Sequence, residues 1–589
     1  MKGSRVKRGL VAAAAMAAAL AASVYAVNAA QPASTNLAPP VYYVDGAVAA
    51  SGDGLSWATA LKTIQEGLAK TLEPGSIVWI KPGTYTGTAS IKQSGAEIIP
   101  MTAGVATASG NQVVFPSGVD LSAVNLSANP DQYYLYLARS WSSNNGVYRV
   151  TAVNAAARTV TVADADFVPE SGVAGDFNQL SASIGRPVQV RNADPSAGRV
   201  VLDATGLGAC TILFIGDGFD GNCSANSAVS YILFDGIDLK GSSYCGGAHV
   251  QDASFVVIAN SQVTNMWGGP GIFVASNADR PARYNYFINN VLYNAYGEGI
   301  YIGNGDQDQY CNYTQFTHVI GNDISYNPAA TWMENAIEVK EYYNRSTVIE
   351  RNLIHDFSLK MFWNGAINIQ WGAEDTLVYN NTLRDIRPAY SQAPLFIIGV
   401  ESMDPDDTNY NYYTPTRNIQ VFNNLIYNTV VPSSTQQVYA IGIRGDNTQN
   451  IGVYHNTTYN VGALYLHYDN DNGVGNGVSI KNNIFASVPV TYLVIREPWG
   501  PYQTFNVSHN WFSITPTLYA TSTLWTGDPM FVNAPADLRL AANSPAINKG
   551  ASLTPPVARD HDRALRLGAP DLGAFETVRR IYTPICLKQ

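Results

Sequence analysis

The chain has 589 residues and a formal charge of −10, with only 14% charged residues but 35 tyrosines and 50 glycines. An acidic balance gives no general attraction for nucleic acid or anionic membrane, and this composition suits a β-rich exported protein better than a helical cytosolic one. The length allows several ordinary domains or one long repeat array.

The first 30 residues read as a targeting segment. Lys2, Arg5, Lys7 and Arg8 precede the apolar run GLVAAAAMAAALAASVYA and the small residues of VNAAQPAS. That is the n-, h- and c-region order of a secretory signal, with cleavage near Ala26 or Ala29. The alternative is a single N-terminal anchor, but the run is short and alanine-dominated. No other stretch is apolar enough to cross a bilayer, so a protein without a membrane span, secreted or at the cell surface, is expected. These 30 residues carry a charge of +4; −10 less +4 leaves −14 for the remainder. The five cysteines are Cys210, Cys223, Cys245, Cys311 and Cys586. An oxidising compartment permits disulfides, and Cys210–Cys223 with Cys245–Cys311 is one of the pairings open. None has the spacing of a structural zinc site.

Residues 40–105 read as an N-terminal cap and first coils. ATALKTIQEGLAK has helical spacing, and GSIVWIKPGTYTG is a strand followed by a Pro-Gly turn. An amphipathic helix there would cap the open end of a solenoid, whose first coil otherwise exposes apolar side chains and strand edges. Residues 106–185 break the pattern as a small inserted β domain, with strands expected around GVYRVTAV and RTVTVAD.

From 186 to 515 a repeat organises the chain. An apolar-alternating stretch, an asparagine and a short apolar strand recur, as in VVIANSQV, YFINNVLY, VIERNLIH and QVFNNLIY. The markers are Asn260, Asn290, Asn322, Asn352, Asn381, Asn424, Asn456, Asn483 and Asn510, spaced by 30, 32, 30, 29, 43, 32, 27 and 27 residues. An insertion at 402–417 explains the long gap. Such a period with short strands and no helical pattern reads as an all-β parallel β-helix. Asparagine at one turn of every coil can form a stacked amide ladder.

Between the markers lies a second strand: GIFVAS, GIYIGN, AIEVKE, AINIQW, AIGIRG, ALYLHY and YLVIRE. With the aliphatic residues inward, one outward column is expected to read Ala275, Gly303, Lys340, Gln370, Gly399, Arg444, His467 and Arg496. The adjacent one reads Phe273, Tyr301, Glu338, Asn368, Ile397, Gly442, Tyr465 and Val494. Residues 516–577 form a closing segment, and 578–589 are an apolar, basic tail.

The opening segment YYVDGAVAASGDGLSWATALKTIQEGLAK resembles that of the secreted, right-handed pectate-lyase-like β-helix superfamily, and DPMFVNAPADLRLAANSPAINKGA with APDLGAFE resembles the closing segment of bacterial β-helix proteins with choice-of-anchor modules. The resemblance is specific for architecture, because this superfamily hosts many functions. It implies polysaccharide lyases, in which a lysine or arginine takes the proton α to a uronate carboxyl group while calcium neutralises the carboxylate.

Lys340 is the best lysine for that base. Glu338, two residues away on the same face, would raise the lysine pKa, the reverse of what a base needs. The conflict disappears if Glu338 binds calcium, with Asn304, Asp306 and Asp308 completing the site. Asp469 and Asp471 in DNDNG form a second candidate calcium loop; the DPDD at 404–407 is a weaker one. The bland alternative is a solvated Lys–Glu pair worth little. Family patterns also fail in part: the Asp-Asp-Gly-x-Asp calcium cluster of one pectate lyase family is absent. The Glu-x-Glu before the lysine in the chondroitinase B and alginate lyase family is replaced by Met333 and Asn335. The Asn-Thr-Asp, Gly-His-Gly and Arg-Ile-Lys motifs of polygalacturonases are missing.

With coils stacked at ~4.8 Å, Arg444 lies three coils and ~14 Å from Lys340. It cannot share a proton transfer, but with Asn368, Gln370, His467 and Arg496 it could hold further acidic residues of a polysaccharide. Tyr301, Trp371, Tyr465 and Tyr468 would offer flat surfaces to sugars, unless they stack on one another for stability. Two other readings stand beside the lyase: a non-catalytic glycan-binding or structural matrix protein, and a glycoside hydrolase using carboxylates such as Glu334, Glu338, Glu374 or Asp375.

Overall fold

A computed structural model of the chain describes residues 39–102, 107–171, 180–216, 229–241, 246–276, 282–295, 297–303, 314–326, 333–340, 344–356, 358–359, 365–388, 395–402, 415–429, 438–445, 447–467, 477–488, 505–516, 523–553 and 557–577, without the side chains of Pro388, His467 and Phe505. The expected signal segment, the basic tail and four of the five cysteines lie outside them; Cys210 is disulfide-bonded.

Three parallel sheets dominate. Sheet 1 has 13 strands, from Val41–Val44 to Phe505–Ser508. Sheet 2 has 13, from Gly83–Thr86 to Leu524–Thr526, and sheet 3 has 10, from Ala89–Ile91 to Gly462–His467. One coil runs Val348–Glu350, Leu353–His355 and Gly365–Gln370, then re-enters sheet 1 at Leu377–Tyr379, paired in parallel with its own first strand. This is a parallel β-helix, as the asparagine period predicts.

The turn from sheet 1 to sheet 2 explains that period. Asn290, Asn322, Asn352, Asn381, Asn424, Asn456, Asn483 and Asn510 are fully buried. Up to Asn510, which ends the ladder, each Nδ2 donates to the Oδ1 of the next, at 3.0 Å from Asn290 to Asn322 and 2.9 Å from Asn352 to Asn381. The backbone N–H of each donates to the same oxygen, and Nδ2 also bonds a strand carbonyl, as Asn381 does to Ile349. The residue before each ladder asparagine turns the chain with positive φ, for example Arg351 at 56° and Asn380 at 55°. Asn260 proves to be one of these turn residues, exposed at φ 54°, and Ser261 takes the ladder position, its N–H donating to Asn290 Oδ1 at 3.0 Å. The first marker is therefore corrected by one residue.

Aliphatic side chains fill the interior in lines. Ile337, Ile367, Ile398, Ile441 and Leu464 form one, and Val339, Ile369, Val400, Ile443 and Leu466 the next. Each buried side chain of this size contributes about 1.5–3 kcal/mol.

A helix over Ile64–Lys70, shorter than its sequence pattern, covers the first coil. Thr63 and Glu66 form a reciprocal capping box. A Cβ at Gly67 would come within 2.9 Å of Val44 and Val78 side chains, so the glycine permits the close approach. The inserted domain leaves after Ala89–Ile91 as an eight-stranded antiparallel sheet with its own core. Its strands Gly146–Asn154 and Thr159–Val162 pair as the sequence suggests. It docks on the outer face of sheet 1: Tyr134 and Tyr136 pack among Tyr231, Phe255 and Tyr286, and Tyr379 Oη donates to Ser140 O at 2.7 Å. The closing segment packs Leu540, Ala546 and Leu572 on Ile484 and Trp511, and its buried Arg566 bonds Asn423 Oδ1 and pairs with Glu576.

Candidate functional site

The outer face of sheet 3 carries the candidate residues. Its strands enter through a corner with two successive buried residues, Ala336–Ile337, Ala366–Ile367, Ile397–Ile398 and Ala440–Ile441, before alternation begins. That corner corrects the expected columns. One reads Phe273, Tyr301, Glu338, Asn368, Gly399, Gly442, Tyr465; the other reads Ala275, Lys340, Gln370, Glu401, Arg444, His467 along the same coils, with Gly303 between the first two. Ile397 belongs to the interior, and Glu401 stands where Gly399 was expected.

Glu338 is only 3% exposed. Gln370, one coil on, donates its Nε2 to Glu338 Oε1. Burial pushes the carboxyl up to about 8; nearby Lys340 opposes the rise, while Glu298 and Glu334 add to it. The acid is therefore mainly neutral at pH 7. Tyr301 precedes it in the column, stacked at 5.3 Å on Phe273, so one ring face is taken. Asn368 follows it, fully buried, its carboxamide beside the acid and slightly opposing the rise.

Lys340, half-buried at the strand end, sends its ammonium over the Trp371 ring, 4.1 Å from the centroid. No ion pair joins it to Glu338. Arg444 is paired with Glu401 at 2.6 Å. Tyr465 is buried against Phe396 and Tyr439, with centroids at 5.5 and 5.0 Å. His467 continues the column beside Arg444. Glu374 sits elsewhere, in the turn from sheet 3 to sheet 1, between Arg345 at 3.2 Å and Arg417 at 2.7 Å. Asp375 in the same turn accepts from Asn418. Asn304, Asp306, Asp308, residues 404–407, Tyr468, Asp469, Asp471 and Arg496 lie outside the described residues.

Among the described residues, no group of three or more His, Cys, Asp or Glu side chains converges to hold a metal, and Glu338 is buried and engaged by Gln370. These residues alone do not fit a calcium ion. Sequence reasoning missed Glu401 and Phe396. The latter's ring lies against the position a Cβ of Gly442 would take, covering the two-glycine gap in the column. Aligning the glycines of FIIGVES and YAIGIRG would have found both.

The fold and this column define a parallel β-helix with a polar outer stripe. No family profile and no curated protein matches the chain. Solved structures do. Pectate lyase Pel9A is 13% identical with a TM-score of 0.40, covering 92% of this chain and 96% of its own. An alginate lyase from Paenibacillus sp. str. FPU-7 is 13% identical with a TM-score of 0.35, covering 76% and 95%. A rhamnogalacturonan lyase is 12% identical with a TM-score of 0.35, covering 80% and 87%. Likenesses this distant assign no activity.

Proposed function

We propose that the chain is an exported, carbohydrate-active β-helix that cleaves an acidic, uronate-containing polysaccharide by β-elimination. The observation that supports this reading is one strand carrying a buried, neutral Glu338 and an outward Lys340 held over Trp371. In β-elimination a base removes the proton α to the uronate carboxyl group and negative charge grows on that carboxyl. The bond from the adjacent β carbon to the glycosidic oxygen breaks as a double bond forms between the α and β carbons, and the departing oxygen takes a proton from solvent. An ionised Glu338 would repel the substrate carboxylate; a protonated one does not. Burial thus removes the negative field of Glu338 that a cation was invoked to offset. Lys340, after releasing its proton to solvent, takes the substrate proton. Arg444, three coils from Lys340 in the same column, would meet a further acidic residue of the polysaccharide. Any calcium dependence would come through Asp306, Asp308 or the DNDNG loop.

The second reading is a non-catalytic glycan-binding or structural surface protein. What favours it is that the Arg444 charge is matched by Glu401, and the Tyr301 and Tyr465 rings pack on their neighbours. Incubation with pectate, alginate, glucuronan and chondroitin, with calcium and with chelator, separates the readings. Ultraviolet absorbance from unsaturated uronates marks elimination, and reducing ends without absorbance mark hydrolysis. Retention on a polymer with neither product supports the second reading.

A further inference from the structure

We infer that Trp371 is a positioning residue for Lys340 and not a stacking platform for sugar; this rests on the elimination reading above. Lys340 ends the strand Asn335–Lys340, and its register partner one coil on is Gln370. Trp371 follows Gln370 at the corner, with φ 56°, a region unfavourable for a bulky side chain. Its N–H is fixed to Glu401 O of the next coil at 3.1 Å. The same corner position is Asp252, Ser276, Ser402 and Gly445 in other described coils. The large ring thus occurs in the coil that follows the lysine, despite its backbone cost.

The ring and the ammonium meet at 4.1 Å, the geometry of a cation–π contact. That ring face cannot take a pyranose at the same time. A lysine has a flexible four-carbon stem; a ring that gathers the ammonium at this place leaves the neutral amine, once the proton has gone, already positioned, which removes an entropic part of the barrier. Loss of the ring should therefore act on turnover and leave substrate binding nearly alone. A sugar platform would show the opposite split, a raised KM with kcat unchanged.

The test uses the full chain and the polymer on which the wild type forms unsaturated product. Lysines are 13C-methylated, and the Lys340 resonance is assigned by its loss in Lys340→Arg. In the resting wild type it should lie upfield of the other lysines through the Trp371 ring current, and should rejoin them in Trp371→Leu. Trp371→Leu should lower kcat about three- to thirtyfold with KM within about twofold, the range a cation–π contact spans. Trp371→Phe should recover part of both the shift and the kcat. A Lys340 resonance without the shift, or a Trp371→Leu effect confined to KM, overturns the inference. A wild type without turnover overturns the elimination reading itself, and the resonance then decides the pairing alone.

Discussion

Glu338 and Lys340 stand two residues apart on the outer face of one strand, yet the first is buried against Gln370 and the second reaches over Trp371, with no ion pair between them. The two remain electrostatic neighbours, Lys340 opposing the rise that burial imposes on Glu338, without closing into a contact pair.

Ionisation of Glu338 is expected to switch the site off. Its carboxyl is neutral below about 8 and charged above, so kcat/KM should fall as pH rises through that value. Glu338→Gln, which keeps a neutral group, should hold turnover at pH 7 within about tenfold of wild type and lose the alkaline limb. The linked stability has a defined sign. The folded value lies above the ordinary 4.5, so the native state holds the proton more tightly. Stability is fully present below about 4.5 and is lost as pH rises towards 8, by at most about 1.4 kcal/mol per pH unit. Denaturant titrations of both proteins at pH 5 and pH 8 read it.

The asparagine ladder should be costly to interrupt. Asn381→Leu removes the acceptor of the Asn352 N–H and of one Nδ2 hydrogen, Nδ2 keeping its bond to Val319 O, and takes the amide donor away from Ile349 O and Asn424 Oδ1. At about 1–3 kcal/mol for each orphaned group, a loss of several kcal/mol is expected by chemical denaturation. A change below about 1 kcal/mol would mean that water replaces the ladder at little cost.

His318 lies under the inserted domain, fully buried and stacked on Tyr286 at 4.5 Å. Burial pushes its pKa down to about 3, against a hydrogen bond with the Phe316 backbone that favours the charged ring, with nearby Arg139 adding to the shift. The unfolded chain takes up that proton near 6.5 and the native protein does not. Stability should therefore fall as pH drops from about 6.5 towards 3. His318→Phe keeps the stacked ring and removes the proton site, so its Tm should depend less on pH across that window. Parallel Tm curves for both proteins would contradict this account.

Much of the fold is legible because buried positions must repeat in every coil. An amide at one turn and aliphatic residues on the strands recur at the period of the chain path, as Asn352, Asn381 and Asn424 show. The register at 397–399 is harder. Ile397 and Ile398 both face inward at the corner, and an alternation rule assigns only one of them. That shift hid the Glu401–Arg444 pair. The burial of Glu338 is also invisible locally, because the exposure of an outward column depends on what lies over it. The Asn260 marker failed for a simpler reason: an asparagine suits the positive-φ turn as well as the ladder beside it.

Gly442 offers a test of that corrected register. A Cβ there would collide with the Phe396 ring, so Gly442→Ala should destabilise by about 1–3 kcal/mol through overpacking. Phe396→Ala in the same chain should cancel that increment. Independent, additive effects would place the two residues apart.

The most direct measurement is the ultraviolet absorbance of unsaturated uronates released from acidic polysaccharides by the wild type and by Lys340→Ala, with the fold of each checked by its Tm. A rise with the wild type, reduced about a hundredfold or more in Lys340→Ala as expected for loss of a general base, is the predicted result. An equal rise in both proteins, or none in either, would contradict Lys340 as the base of an elimination.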